Sequence, residues 1–238
     1  QIGNTPQTLL ATGTSRFENL NSNWGGNVQF SGGRMLTNGT TYQGTAYLEK
    51  LGATDDASAG GNHFFGDTEL RNSGTGYFLM GNGAADVWDQ DLLMTNSGQY
   101  RMYLAHASAG NSVGGDLTIN NTGTGLIDNN IYLVNSVTST LSVGGNLTIN
   151  NLSAATGATI SFSESGASTI AGNAILNNNA TGAGATIYLG NAGGVTLSGN
   201  LTANNIGSAL TSRIYIASGA ASGVSVGRTA VLNNNNTG

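Results

Sequence analysis

The sequence predicts an all-β protein: a right-handed parallel β-helix, or β-solenoid, with about three short strands in each coil and about nine coils. Three observations lead to this prediction. A ten-residue motif recurs along the chain, apolar and polar residues alternate within each repeat, and the composition favours strands and turns. The right-handed sense follows from the general preference of parallel strand crossovers.

The repeat is clearest at SVGGDLTINN (112–121) and SVGGNLTINN (142–151), and weaker copies follow at TIAGNAILNN, TLSGNLTANN and SVGRTAVLNN. An Asn closes each copy and its upstream counterparts, at spacings of 24 to 30 residues. A solenoid keeps its strands in register while its loops vary, which accounts for the unequal spacing. We expect these side chains to stack about 4.8 Å apart and to form an amide-to-amide Asn ladder. The predicted ladder consists of Asn72, Asn96, Asn121, Asn151, Asn178, Asn205 and Asn234.

Each unit contains three short runs in which apolar residues take every second position. The first run precedes the Gly corner, as at Val143, the second is the LTINN run, as at Ile149, and the third follows a loop, as at Ile131. A period of two is typical of a half-buried strand. The three runs therefore predict the three strands of one coil, and the Gly pair predicts a corner that larger side chains would block.

The composition excludes several classes of protein. Charged residues make up only 8% of the chain, against roughly 25% in an ordinary soluble domain, and 38 Gly with a single Pro favour turns and strands over helices. The net charge of −5 argues against nucleic acid and against an anionic membrane surface. Without Cys there is neither a disulfide nor a thiolate metal site. No apolar stretch is long enough for membrane insertion.

The domain organisation is simple. Residues 1–23 are predicted to be an N-terminal coil or an incomplete rung, and residues 24–238 a single elongated solenoid domain. No signal-peptide pattern follows Gln1, so we expect the sequence to be a mature product or a fragment of a longer chain.

Several stretches carry a resemblance to a known family. They are TTYQGTAYLEKLGATDDASAGGN (40–62), TELRNSGTGYFLMGNGAADVW (68–88), YRMYLAHASAGN (100–111) and GGDLTINNTGTG (114–125). The chain from about residue 24 resembles the repeats of giant cell-surface adhesins of Bacteroidota, including gliding-associated adhesins exported by the type IX system. The resemblance implies gliding motility or adhesion as the setting, an extracellular location at the cell surface, and no catalytic residues.

Three carboxylates fall in one column directly after the Gly corner, at Asp67, Asp91 and Asp116. Paired carboxylates on a β-helix face can hydrolyse glycosides or bind Ca²⁺. The column continues upward as Asn, however, and a position that accepts either residue is also typical of a hydrogen-bond acceptor in a turn. Both interpretations remain open from the sequence.

The densest acidic patch is Asp86, Asp89 and Asp91 in ADVWDQD. We expect it to be the best place for a Ca²⁺ ion, with a solvated corner as the alternative, because the spacing matches no known calcium loop. We expect no other cofactor. His63 and His106 lie at non-equivalent places in their units, which argues against a shared metal.

Aromatic residues recur on the outward parity of the third strand, at Tyr103, Tyr132, Tyr188 and Tyr215, with Ser161 between the pairs. Ring faces one rung apart could stack on the sugars of a polysaccharide. They could equally stabilise the sheet through contacts between strands. This column is the predicted binding face.

Together these features predict a structural or adhesive segment of a bacterial cell-surface protein, a rigid stalk or filament rather than an enzyme. Its partners would be flanking repeats or further copies of the chain, and its ligand a polysaccharide or an abiotic surface. Two alternatives remain: a self-assembling extracellular fibre subunit, and a polysaccharide-active β-helix enzyme that uses the Asp67, Asp91 and Asp116 column.

Overall fold

The chain folds into parallel strands stacked as a β-solenoid. The computed structural model describes residues 5–11, 15–125, 128–208, 211–220 and 222–235. Within these ranges every regular secondary-structure element is a β-strand, and every paired strand runs parallel to its neighbour. The same ranges contain no helix of the length and apolarity needed to cross a membrane. The predicted all-β solenoid is therefore confirmed.

The largest sheet has ten strands and contains the LTINN runs. Its strands are β1 (Gln7–Leu10), β4 (Val28–Gly32), β7 (Ala46–Lys50), β10 (Thr68–Asn72), β13 (Leu92–Asn96), β16 (Leu117–Asn121), β19 (Leu147–Asn151), β22 (Ala174–Asn178), β25 (Leu201–Asn205) and β28 (Ala230–Asn234).

The second sheet has nine strands and contains the runs before the Gly corner. Its strands are β3 (Asn23–Trp24), β6 (Thr41–Tyr42), β9 (His63–Phe64), β12 (Val87–Trp88), β15 (Asn111–Val113), β18 (Thr140–Val143), β21 (Ala167–Ile170), β24 (Val195–Leu197) and β27 (Val224–Val226).

The third side of the solenoid consists of a seven-strand sheet and a separate pair. The seven strands are β8 (Asp56–Ala57), β11 (Phe78–Leu79), β14 (Met102–Leu104), β17 (Ile131–Leu133), β20 (Thr159–Ser163), β23 (Thr186–Gly190) and β26 (Arg213–Ala217). The pair is β2 (Arg16–Leu20) and β5 (Arg34–Asn38). Strands β1 and β2, within residues 1–23, pair with β4 and β5.

Successive coils stack residue on residue. In the ten-strand sheet, Leu117 pairs with Leu147 and Ile119 with Ile149, and the matching register continues along the sheet. Leu147 and Ile149 are fully buried and Thr148 between them is half-buried, as the period of two predicts. Each fully buried Leu or Ile contributes about 1.5–3 kcal/mol to stability, so stacking is what makes the short strands stable.

The Gly corner is required by close packing between coils. A Cβ on Gly144 would lie 2.4 Å from the carbonyl oxygen of Gly114 in the preceding coil. A Cβ on Gly145 would lie 2.2 Å from the Asp116 carboxylate. No larger residue fits at either position without moving the backbone, which explains why the motif repeats its Gly pair.

The core changes in character along the axis. Towards the N-terminus the inward residues of the nine-strand sheet are aromatic, and Tyr42 stacks on Phe64 with ring centroids 4.6 Å apart. Phe64 in turn stacks on Trp88 at 5.4 Å. From Val113 onward the same column contains aliphatic residues such as Val143.

Side chains replace the backbone ladder between β5 and β8. The Met35 N–H donates to Asp56 Oδ2 at 2.8 Å, and the Thr37 N–H donates to Ser58 Oγ at 3.1 Å. Arg34 Nε also bonds Asp56, at 2.9 Å. These side chains bridge the two strands where backbone hydrogen bonds are missing, so the seven-strand sheet ends at β8.

Candidate functional site

The predicted binding face lies on the outer side of the seven-strand sheet. Strands β14, β17, β20, β23 and β26 place one outward residue each in register. We call this column the tyrosine row; it consists of Tyr103, Tyr132, Ser161, Tyr188 and Tyr215.

The rings of the tyrosine row face one another. Tyr188 and Tyr215 are stacked with centroids 4.9 Å apart and planes 6° apart, and Tyr103 and Tyr132 are stacked at 5.6 Å and 27°. Tyr103 is only 9% exposed. Within each pair the faces are occupied by the neighbouring ring, which is the arrangement expected of contacts that stabilise a sheet.

Polar neighbours fix the phenol groups. Arg101 donates to the Tyr103 hydroxyl at 3.2 Å, Asn130 to that of Tyr132 at 3.0 Å, and Arg213 to that of Tyr215 at 3.1 Å. Burial, with smaller effects of nearby charges, raises the pKa of Tyr132 to about 12. The Tyr132 phenol therefore remains neutral at ordinary pH.

The carboxylates of the Asp column accept hydrogen bonds from the backbone of the following coil. Asp91 Oδ1 accepts the N–H of Asp116 at 2.7 Å, and Asp116 Oδ1 accepts the N–H of Asn146 at 2.7 Å. Asp67 Oδ1 makes the same contact with the N–H of Asp91, at 3.4 Å. An Asn oxygen makes this bond equally well, as Asn146 does to Asn173. The column thus links coils rather than closing an Asx turn within one coil.

The predicted calcium ligands point in different directions. Asp86 is fully buried, whereas Asp89 is on the surface and binds His63 Nε2 at 3.0 Å. Asp91 is exposed and uses Oδ1 for the backbone of the next coil. Within the described ranges, no three His, Asp or Glu side chains are grouped so that they could hold a metal ion.

Asp86 belongs to a buried polar network that the sequence analysis missed. Its Oδ1 accepts the Asn62 N–H at 2.9 Å and Asn62 Nδ2 at 2.8 Å. Asn62 in turn accepts from Thr37 Oγ1, which bonds the Tyr42 hydroxyl at 2.7 Å. Burial raises the pKa of Asp86 to about 7. Asp86 shares the inward parity of Trp88, a signal that could have placed it in the core.

The predicted Asn ladder stacks in register, but its amides bind the backbone. Asn151 Nδ2 donates to the Ala158 carbonyl at 3.1 Å, and Asn178 Nδ2 to the Ala185 carbonyl at 3.1 Å. Of the predicted ladder, Asn205 and Asn234 alone bond amide to amide, at 2.9 Å. The expected amide-to-amide pattern is therefore wrong for the other members, because these side chains point inward and loop carbonyls lie within their reach. The full set is Asn72, Asn96, Asn121, Asn151, Asn178, Asn205 and Asn234.

The amide ladder exists one residue earlier in each strand. Asn150 donates to Asn120 at 2.9 Å, Asn177 to Asn150 at 2.9 Å, Asn204 to Asn177 at 2.8 Å, and Asn233 to Asn204 at 2.8 Å. These side chains lie on the outer face, where no loop carbonyl competes for the amide. We call this column the outer amide ladder.

An open groove of about 580 Å³ lies on the ten-strand sheet. Tyr47, Glu69 and Leu93 line it, together with Asp67 and Asp91. The repeat pattern did not predict this groove.

No protein family, curated protein or solved structure matches this chain.

Proposed function

We propose that this chain is a structural and adhesive segment of a bacterial cell-surface protein, a rigid stalk or filament that acts through its shape and surface rather than through catalysis. The observation that supports the proposal is the unbroken ten-strand sheet, which runs from β1 to β28. Stacked coils of this kind form a stiff rod, because each coil is bonded to the coils above and below it.

The finer architecture is part of the same proposal. The rod is right-handed, in keeping with the general sense of parallel crossovers, and has about nine coils. Its extracellular location is supported by a charged fraction of 8% and by the resemblance to gliding-associated adhesin repeats. Amide and hydroxyl side chains on its outer faces suit contact with polysaccharides or abiotic surfaces.

Adhesion under flow tests the proposal. Beads carrying the chain through one terminus are passed over glass and over films of neutral polysaccharide. We expect retention well above that of beads coated with an unrelated protein of similar charge. Equal retention of the two bead types would remove the adhesive role. Release of reducing sugar from the same films, lost on changing Asp91 to Asn, would instead favour the enzyme alternative.

The self-assembling fibre is a second candidate because coils that stack through parallel strands in register can also stack between copies of the chain. Leu10 and Leu232 are each 65% exposed. Light scattering over a range of concentrations tests it: growth into filaments that is lost in Leu232→Asp favours the fibre, and a constant mass rejects it.

A further inference from the structure

The tyrosine row is interrupted at one rung. Ser161 occupies the position of a ring, with Tyr132 on the coil below and Tyr188 on the coil above. On either side the row continues as stacked pairs, Tyr103 with Tyr132 and Tyr188 with Tyr215. One face of Tyr132 and one face of Tyr188 are therefore the ring faces next to the interruption.

The interruption has the length of one ring. Adjacent strands are about 4.8 Å apart, so Tyr132 and Tyr188 are attached about 9.6 Å apart along the axis. A six-membered ring placed midway would be about 4.8 Å from each tyrosine. The stacked pair of Tyr188 and Tyr215 has almost the same spacing, 4.9 Å.

The position also carries an unsatisfied polar group. Ser161 is fully buried although its neighbours Ile160 and Phe162 are the ones that enter the core. Its Oγ has no hydrogen-bond partner among the described residues. A buried hydroxyl without a partner costs about 1–3 kcal/mol, so a ligand hydroxyl at this point would remove an existing penalty.

We propose that the slot between Tyr132 and Tyr188 binds one pyranose ring of a neutral glycan, with Ser161 bonding one of its hydroxyls. A pyranose presents C–H groups on its faces and hydroxyls around its edge, which matches two aromatic walls with a hydroxyl between them. A phenyl ring would leave Ser161 unpaired. Because Ser161 is covered in the free protein, binding requires the two tyrosine side chains to move apart.

The inference rests on the proposed adhesive function, and Ser161 offers a matched pair of variants. Ser161→Tyr completes the row and fills the slot, and we expect it to lower affinity at least tenfold while keeping the fold. Ser161→Ala places no ring between the tyrosines but removes the hydroxyl, and we expect the affinity to fall about threefold to tenfold. Tyr47→Ala, on a different sheet, is the control and should bind as the unaltered chain does.

Binding is measured by calorimetry and tyrosine fluorescence with neutral hexasaccharides of glucose, mannose, xylose and N-acetylglucosamine, at concentrations up to millimolar. Circular dichroism checks the fold of each variant. Unaltered affinity in Ser161→Tyr, or no binding of any of these sugars by the unaltered chain, would contradict the proposed sugar site.

The bead assay separates the two proposals. If Ser161→Tyr adheres normally but no longer binds hexasaccharide, the proposed sugar site is correct and adhesion uses another face. If the unaltered chain binds hexasaccharide but its beads are not retained, the slot stands and the adhesive function fails.

Discussion

Two halves of the solenoid have the same coil geometry but different chemistry. The aromatic half, residues 15–111, contains the stack that ends at Trp88 and the buried polar network of Asp86. It contains ion pairs such as Arg34 with Asp56 and Arg71 with Glu49. The amide half, residues 112–208, contains no Lys or Arg, has aliphatic inward residues in the nine-strand sheet, and contains the outer amide ladder. Parallel stacking thus tolerates two different sets of contacts, provided that the strands keep their register.

The largest effect should come from the aromatic stack. Trp88→Ala removes the end of the Tyr42, Phe64 and Trp88 stack, and we expect it to lower the free energy of unfolding by about 3–5 kcal/mol. Ile149→Val in the amide half is the comparison and should cost about 0.5–1.5 kcal/mol. Urea unfolding followed by circular dichroism measures both. Equal losses in the two variants would show that the aromatic stack contributes no special stability.

The buried carboxyl predicts that the stability of the aromatic half depends on pH. The folded-state pKa of Asp86, about 7, lies above the ordinary value of 3.8 because burial disfavours the charge. Between these pH values Asp86 keeps its proton in the folded chain and has lost it in the unfolded chain. The contribution of Asp86 to the free energy of unfolding therefore falls as the pH rises from about 4 to about 7.

Asp86→Asn should remove that contribution. The column neighbours Asn62 and Asn111 are already amides, so the replacement matches its surroundings. We expect the variant to be more stable than the unaltered chain above pH 7, by up to a few kcal/mol, with a flatter pH profile. Urea midpoints from pH 4.5 to pH 8 provide the test, with Asp67→Asn as the surface control. Parallel profiles for Asp86→Asn and the unaltered chain would contradict the assignment.

Within the amide half, inward and outward Asn residues should differ. Asn151→Ala removes the side-chain donor of the buried Ala158 carbonyl, which keeps the Thr186 N–H, and we expect a loss of about 0.5–1.5 kcal/mol. Asn177→Ala breaks two bonds of the half-buried outer amide ladder and should cost about 1 kcal/mol or less, because water replaces the partner. Thermal unfolding compares the two variants. A larger loss for Asn177→Ala would reverse our ranking of the two columns.

The smallest effect should come from the Asp column. Asp91→Asn keeps the Oδ1 atom that accepts the Asp116 N–H, and we expect a change in stability within about 0.5 kcal/mol. Asp91→Ala removes the acceptor and should cost about 0.5–1.5 kcal/mol. If Asp91→Asn proved as costly as Asp91→Ala, the negative charge itself would have a role, and ion binding would need to be measured directly.

The repeat predicted the strands well because alternation and burial act locally. Leu147 and Ile149 are inward for the reason that the period of two gives, and the Gly corner follows from steric contact with the coil below. Side-chain partners were harder to predict. The difference between Asn150, which bonds another amide, and Asn151, which bonds a carbonyl, depends on where the loop backbone passes. The side-chain bridge at Asp56 could not be predicted either. The backbone ladder is broken between β5 and β8, but the sequence repeat continues through both strands.

The side-chain hydrogen bonds of the outer amide ladder and of the Asp and Asn column all run in one direction along the axis. In the outer amide ladder each Nδ2 donates to the Oδ1 of the preceding coil, and after the Gly corner each backbone N–H donates to an oxygen of the preceding coil. A completed coil therefore presents ready acceptors to the segment that follows it in the chain. We expect the rod to fold progressively from its N-terminal side, so that a chain emerging in that order, as during synthesis, could add one coil at a time onto an existing template.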